Sequence, residues 1–359
     1  MLKNKIFQYF FTEFFKIFLL ISLSFSLLIW FTQAARLLEL ITEFGNPVSV
    51  YFKYLIFSYP KILQNTFLLN FIISMFFLYA KLNDAKEFGI YWLSGVSKFK
   101  IYYLCMIIGL VTLFLHLILS IFIAPWSSYQ GRLVLGDSKF TLVNALVKEK
   151  NFNTPLKGLT IYVENNDKKG NLNGIFIYEK SRIITAQKGR VLTDGDNSYL
   201  ELFNGTSQEK NNEKINVINF NSTIFDFSKY QLRNTSYPKF TERQINWLFE
   251  RLKNENITIK NRNDLRVEIN SRLIKPFLIL IISTLICFLL FANNDKINLK
   301  KLKATIYILS VSLLIINQIM LNLSGKNINY TMIYIFSLAI FFILINIVFF
   351  KFIKGESKL

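Results

Sequence analysis

Six long stretches without a charged side chain constrain the fold of this 359-residue chain more than any other feature. A transmembrane helix needs about 20 apolar residues to cross a hydrocarbon core about 30 Å thick. Hydrophobic residues make up 52% of the chain and Phe occurs 37 times, which is typical of a membrane protein and unusual for a soluble one of this size. The predicted spans are 17–35, 62–80, 101–131, 277–294, 304–325 and 327–350.

A segment of ordinary soluble composition, residues 126–270, separates the third predicted span from the fourth. The sequence therefore predicts a polytopic α-helical membrane protein with six transmembrane helices and an extracytoplasmic antiparallel β domain inserted between helices 3 and 4. The predicted divisions are 1–125 for helices 1–3, 126–240 for the β domain, 241–270 for a helical linker and 271–359 for helices 4–6.

Lysines indicate on which side of the membrane each loop lies. Short cytoplasmic loops carry an excess of Lys and Arg, and such residues concentrate in the N-terminal arm, loops 81–100 and 295–303, and the C-terminal tail. These segments fall on one side of a six-helix chain, so both termini are expected in the cytoplasm and the β domain outside it. Most of the +19 net charge follows this pattern, because 126–270 carries only +6, and it favours membrane-surface contact over nucleic acid.

The large insertion has the pattern of short β-strands over residues 139–228. Apolar and polar residues alternate in GLTIYVEN, and turns rich in Gly, Asn and Asp separate the apolar segments. This pattern favours an antiparallel sandwich or jelly roll. Segment 241–256 then changes to helical spacing, and a capping box of Thr241 and Gln244 is expected to begin that helix.

The sequence lacks the motifs of common catalytic sites. No GxxxxGK[ST] loop occurs, and the insertion has no HExxH motif and no cysteine. Cys105 and Cys287 lie in or beside predicted spans, which excludes a disulfide framework in the β domain. His116 has no acidic residue within its span, so we expect a packed, hydrogen-bonded histidine and not a proton relay. The chain is predicted to be non-catalytic and to need no cofactor or metal. Because it lacks a loop for ATP, any energy that its function requires is expected from a partner protein.

A short amphipathic segment lies between the second and third predicted spans, in LNDAKEFGIYWLSGVSKFK (82–100). Asp84 is expected to cap a helix, with Glu87 at the reciprocal position of a capping box. Gly95 suits the left-handed conformation that ends a helix. The apolar face of this helix would consist of Phe88, Tyr91, Trp92 and Leu93. Such a helix either lies on the lipid surface or inserts into a partner as a coupling helix.

Several stretches resemble the LptF/LptG family of permeases. In KLNDAKEFGIYWLSGVS, the residues that match the family's cytoplasmic loop are Leu82, Asp84, Glu87, Gly95 and Ser97. The family has Arg where this chain has Trp92, and Ala at Leu93. IWFTQAARLLELITEFG is similar to the W-x-T-Q-x-x-R element of the LptF branch, and EINSRLIKPF to the E-x-x-x-R-x-x-x-P start of the fourth span. Pro60 also matches, whereas the family's later Leu-Pro near the second span is missing.

The resemblance implies the permease subunit of an ATP-driven ABC transporter in the bacterial inner membrane. Such a transporter extracts lipopolysaccharide and passes it through jelly rolls to a periplasmic bridge. The implied partners are an LptG-like permease, an LptB-like ATPase dimer, and LptC-like and LptA-like bridge proteins. Segment 84–94 would be the coupling helix. The residues implied for coupling to the ATPase are Asp84, Glu87, Phe88, Tyr91, Trp92 and Gly95.

Polar residues near the outer ends of the predicted spans are candidates for contact with the lipid. Arg36 follows the first uncharged run and either snorkels to the interface or binds a lipid phosphate. Lys53 and Lys61 could extend that basic rim. Arg272 and Pro276 are expected to set the start of the fourth span. The candidates for a gate or cavity, or for hydrogen bonds between helices, are Gln33, Asn317, Gln318 and Asn322.

Two other functions remain compatible with the residues alone. One is a non-transporting membrane scaffold whose β domain binds an envelope protein or glycan. The other is an integral membrane enzyme, which is disfavoured because the spans contain almost no acidic residues. Retention of an ABC ATPase on purification would distinguish a transporter subunit from a scaffold.

Overall fold

The computed structural model describes most of the chain in two compact units. One unit comprises 1–31, 58–129 and 238–359, and the other comprises 32–57 and 130–237. The described residues are 5–38, 48–137, 149–156, 159–167, 171–179, 182–194, 197–211, 214–226, 238–254, 257–291 and 299–356.

Six helical segments in the described chain are long and apolar enough to cross a membrane, which confirms the predicted number and order of spans. The first two are α1 (Lys5–Arg36) and α2 (Val48–Asp84). The third comprises α4 (Lys98–Ile118), a π turn (Leu119–Ile123) and α5 (Ala124–Asp137). The fourth comprises α7 (Ile259–Leu273), a 3-10 turn (Lys275–Phe277), α8 (Leu278–Cys287) and a second 3-10 turn (Phe288–Phe291). The last two are α9 (Leu299–Ser324) and α10 (Ile328–Glu356), and the short helices are α3 (Glu87–Leu93) and α6 (Ile245–Lys253).

Small residues and aromatic rings pack the core of the helical unit. A Cβ at Gly109 on α4 would lie 3.3 Å from the Cβ of Ser283 on α8, so the two backbones approach closely there. The Ser283 hydroxyl donates to the Cys105 carbonyl oxygen at 2.9 Å across the same contact. Cys105 and Cys287 are buried free thiols, as expected for residues beside the spans.

The inserted β domain is one antiparallel sheet of six strands in the described residues. Its strands are β1 (Asn153–Leu156), β2 (Leu159–Asn166), β3 (Asn171–Glu179), β4 (Arg182–Asp194), β5 (Asn197–Asn211) and β6 (Lys214–Asp226). Each pairs with its neighbour in sequence, so the sheet is a meander. Side chains two residues apart share a face, and Leu159, Ile161 and Val163 are buried on one face of β2. The expected antiparallel β domain between the third and fourth spans is confirmed.

The predicted capping box before the linker helix is wrong. Helix α6 begins at Ile245, and its N-cap Gln244 makes no side-chain cap hydrogen bond. Thr241 lies instead within a 3-10 turn, Phe240–Glu242. Glu242 caps this 3-10 turn and not α6, since its Oε2 accepts the backbone N–H of Lys239 at 3.0 Å. Thr241 therefore does not cap α6, because it lies inside this turn and the N-cap position of α6 is Gln244.

Arg272 anchors the linker to the start of the fourth span. Its side chain is fully buried, and its Nε donates to Glu268 Oε1 at 2.7 Å. One terminal nitrogen donates to the Arg243 carbonyl at 2.7 Å and the other to the Phe240 carbonyl at 3.1 Å. The planar guanidinium thus holds α7 against the segment before α6. Arg272 has the structural role expected of it, immediately before the 3-10 turn that contains Pro276.

Candidate functional sites

The short helix α3 connects the second span to the third, and its two ends have left-handed residues. Its N-cap is Lys86, with φ of 55° and no side-chain cap hydrogen bond. The expected cap by Asp84 is wrong, because α2 continues through Asp84 and the connecting turn takes only Ala85 and Lys86. The expected end is confirmed, since Gly95 has φ of 76° and directly follows the C-cap Ser94.

The aromatic residues of α3 face the core of their own chain. Phe88 and Tyr91 are buried, and the Phe88 ring lies 5.6 Å from Tyr79 of α2 and is stacked with Trp92 at 6.1 Å. The exposed side chains are Leu93, with 92% of its surface accessible, and Ile90, with 61%. A partner at this surface would therefore meet Ile90 and Leu93, while Phe88 and Tyr91 fix the position of the helix.

Glu87 accepts hydrogen bonds from two tyrosines. Its Oε1 accepts from the Tyr9 hydroxyl at 3.0 Å, and its Oε2 accepts from the Tyr91 hydroxyl at 3.0 Å. Burial, and then the hydrogen bond to Glu87, raise the pKa of Tyr91 well above its usual value near 10, so this hydroxyl remains a donor at physiological pH. An open groove of about 330 Å³ lies beside the carboxylate. Its lining residues are Lys5, Ile6, Tyr9, Glu87, Ile90 and Tyr91.

A polar cluster rich in cations lies far along the spans from α3. The Lys61 ammonium donates to Gln64 Oε1 at 2.9 Å, and the Lys275 ammonium donates to Gln318 Oε1 at 3.2 Å. Lys61 is 23 residues from the α3 end of α2, which corresponds to about 35 Å of helix and so to the full hydrocarbon thickness. Gln318 also donates to Asn322 Oδ1 at 3.4 Å.

The charges of this cluster do not balance. Lys61 and Lys275 lie within electrostatic range of each other and of Glu268, and Arg272 also acts on Lys61. Glu268 already forms the ion pair with Arg272 at 2.7 Å. Among the described residues neither lysine forms a salt bridge, so the cluster has two cations whose partners are only neutral amide oxygens. Such a site favours a bound anion.

Lys275 is the member of the cluster that the sequence reasoning missed. Lys61, Gln318 and Asn322 were candidates from their own segments. Lys275 directly precedes Pro276 at the edge of the fourth apolar run, and that position is the signal by which it could have been found.

Four other candidates have separate environments. Arg36 is exposed in the last turn of α1, Lys53 is exposed near the start of α2, and Gln33 is half-buried. Asn317 is buried, and its Oδ1 accepts from the Tyr334 hydroxyl at 2.9 Å. Asn317 therefore joins α9 to α10 by a hydrogen bond, which is one of the two roles expected for it.

His116 is a packed core residue, as expected. It is buried, and its ring is stacked with Phe67 at 4.5 Å. Its Nδ1 has no hydrogen-bond partner among the described residues, so the hydrogen bonding expected of this ring is at most partial.

Six helices long and apolar enough to cross a membrane, a β domain inserted after the third, and a short helix between the second and third define a polytopic membrane protein. The family model of the lipopolysaccharide export system permease LptF/LptG matches residues 8–351, and the chain belongs to this family. It is a multi-pass protein of the inner membrane. The chain is also 23% identical over 223 residues to uncharacterized protein RP871 of Rickettsia prowazekii (strain Madrid E). That match covers 60% of this chain and 62% of the length of the relative.

Proposed function

We propose that this chain is an LptF-like permease subunit of an ATP-driven ABC transporter that extracts lipopolysaccharide from the inner membrane. The observation that carries the proposal is α3, a helix whose Phe88 and Tyr91 pack against its own bundle while Ile90 and Leu93 remain exposed. The chain has no loop for nucleotide phosphates. A subunit of this kind fits a transporter whose energy arrives through contact with a separate ATPase.

The proposed orientation places α3 and both termini in the cytoplasm and the β domain in the periplasm. It rests on the lysines of the N-terminal arm, the two short loops and the C-terminal tail. With this orientation, Lys61 and Lys275 lie at the periplasmic ends of their spans, where the phosphates of a lipid in the outer leaflet are located.

The cluster of Lys61 and Lys275 is proposed to bind phosphate groups of the lipid. Each ammonium has three donors, and one of them is already directed by Gln64 or Gln318. The remaining donors are available to an anion. A hydrogen bond between charged groups contributes about 1.5–3 kcal/mol. Arg36 and Lys53 are proposed as further phosphate contacts, because both are exposed cations beside apolar helix surface.

The proposed partners divide the tasks that this chain does not perform. An LptB-like ATPase dimer would contact α3 and hydrolyse ATP, and an LptG-like permease would complete the transmembrane pathway. LptC-like and LptA-like proteins would receive the lipid from the β domain. This chain itself is proposed to be non-catalytic.

Purification from native membranes tests the proposal. The tagged chain, solubilised in mild detergent, is expected to retain an ABC ATPase, a second permease and bound lipopolysaccharide, identified by mass spectrometry. A Leu93→Asp chain is the matched control, because it should lose the ATPase and retain the second permease. Retention of envelope proteins or glycan without an ATPase would refute the proposal in favour of a scaffold.

A further inference from the structure

Under the proposed orientation, the cytoplasmic end of α1 forms a hydrogen bond with α3. The two residues that form it, Tyr9 and Glu87, are 78 residues apart in sequence. The Tyr9 hydroxyl donates to Glu87 Oε1 at 3.0 Å. Tyr9 is 39% exposed, so the bond lies at the edge of the bundle and beside the open groove rather than in the core. Helix α1 therefore contacts α3 through a directed polar bond from Tyr9 to Glu87.

The same carboxylate provides an internal comparison. Tyr91 donates to Glu87 Oε2 at 3.0 Å, but it lies four residues away on α3 itself. The two hydrogen bonds have the same donor group, the same acceptor group and the same length. They differ in that the bond from Tyr91 stays within α3, whereas the bond from Tyr9 joins α3 to a membrane-spanning helix.

An ion pair holds the same part of α1 to α2. Glu13 Oε2 lies 2.5 Å from Lys81 Nζ, and its Oε1 lies 3.0 Å from Lys16 Nζ. The ring of Phe10 also contacts Tyr79 edge to face at 6.4 Å. The start of α1 thus contacts the two elements that flank the turn at Lys86, and only the contact with α3 passes through Tyr9.

Helix α1 is suited to transmit a displacement. It contains no Pro and no Gly over 32 residues, and sharp kinks in helices arise almost always at such residues. Helix α3 is joined to its neighbours through left-handed turns at Lys86 and Gly95. A push on Ile90 and Leu93 can therefore tilt α3 as a unit, and its bond with Tyr9 passes that tilt to α1.

We propose that Tyr9 is a positioning residue for energy coupling, which connects movement of α3 to movement of α1. This inference rests on the proposed function, since it concerns how the contact between the ATPase and α3 is used. Tyr9 needs no contact with ATP, ATPase or lipid. Its task is to keep α1 attached to α3 during each cycle.

The test compares Tyr9→Phe with Tyr91→Phe in the complete complex reconstituted in proteoliposomes. Both variants lose one hydroxyl from Glu87 and keep the ring. For Tyr9→Phe we expect ATP hydrolysed per lipid released to rise at least threefold, with ATP turnover within twofold of wild type. Hydrogen exchange of the 87–93 amides should also rise at least threefold. For Tyr91→Phe the rise in both quantities should be less than half of that for Tyr9→Phe, because the bond that this variant removes stays within α3. In the background of Glu87→Gln, Tyr9→Phe should add less than a twofold further change.

The possible results separate this inference from the proposed function. A wild-type chain that retains no ATPase refutes the proposed function, and the role of Tyr9 with it. If the wild-type complex exports lipid and Tyr9→Phe keeps the wild-type ratio of ATP to lipid, the role of Tyr9 alone is refuted. Equal uncoupling by Tyr9→Phe and Tyr91→Phe would also refute it, because the bond between helices would then have no special part.

Discussion

Replacement of Lys61 by Met separates a substrate contact from a structural one. The Lys61 ammonium has one hydrogen-bond partner in the described chain, Gln64 on the same helix. The nearby charges are the cations Lys275 and Arg272 and the carboxylate of Glu268, which Arg272 already binds. Lys61→Met keeps most of the apolar stem and removes only the charge and its hydrogen bonds.

We expect Lys61→Met to weaken lipid binding without lowering the melting temperature of the chain. A charge-assisted hydrogen bond to phosphate contributes about 1.5–3 kcal/mol, and 1.4 kcal/mol corresponds to tenfold in affinity. Because Lys61 is only half-buried, we expect a loss near the lower end, about tenfold. Burial disfavours the charged ammonium of Lys61, and repulsion from Arg272 and Lys275 opposes its attraction to Glu268, so loss of this charge removes unfavourable as well as favourable interactions. The melting temperature of the variant should therefore stay equal to that of the wild type or rise.

The assay measures both quantities on the same preparation. Lipopolysaccharide affinity is obtained from a titration of lipid-stimulated ATP hydrolysis and from photo-crosslinking, and stability from thermal unfolding in detergent. Lys275→Met should behave in the same way as Lys61→Met. Lys326→Met, an exposed cation in the short loop between α9 and α10, is the control and should leave both quantities unchanged. Unchanged lipid affinity in both cluster variants would refute the reasoning, and so would a melting temperature lowered by several degrees with affinity intact.

Three further predictions concern other residues. Leu93→Asp should abolish co-purification of the ATPase and leave the melting temperature of the chain within a degree or two, since this side chain is 92% exposed; a large loss of stability would contradict the assigned surface. Arg272→Met should destabilise the helical unit by about 3 kcal/mol in thermal or denaturant unfolding, because it removes the buried member of the ion pair and leaves half-buried Glu268 without its partner, and Glu268→Gln, which retains an acceptor, should cost less. Arg36→Ala should reduce lipid photo-crosslinking and Arg36→Lys should restore part of it, whereas equal crosslinking in all three chains would make Arg36 an interfacial anchor.

The sequence predicts those parts of this fold that depend on local composition. Bilayer thickness requires long uncharged runs, so 17–35 and the other runs locate the spans. Gly95 was predictable because the left-handed conformation favours glycine. The cap expected at Asp84 is wrong because α2 extends through Asp84. Nothing in the local sequence pattern indicates that α2 continues so far. Local signals place a boundary only to within a few residues.

Contacts between distant segments are the part that the sequence did not reveal. Lys61 and Lys275 are 214 residues apart in sequence. They lie within electrostatic range of each other only because the fold brings α2 close to the start of the fourth span. The bond from Tyr9 to Glu87 and the bond from Tyr334 to Asn317 likewise depend on how helices pack. Asn317 is an example. An amide side chain at this position in a span suits a cavity as well as a contact between helices, and only the structure shows that it accepts a hydrogen bond from Tyr334.

The most direct test of the central claim is ATP-dependent release of lipopolysaccharide. The chain is reconstituted with the permease and ATPase that co-purify with it in proteoliposomes loaded with lipopolysaccharide, and transfer to a soluble periplasmic acceptor is followed by photo-crosslinking. We expect transfer that requires ATP, falls to background with Leu93→Asp and is reduced with Lys61→Met. Equal transfer with and without ATP, or full transfer by the Leu93→Asp complex, would contradict it.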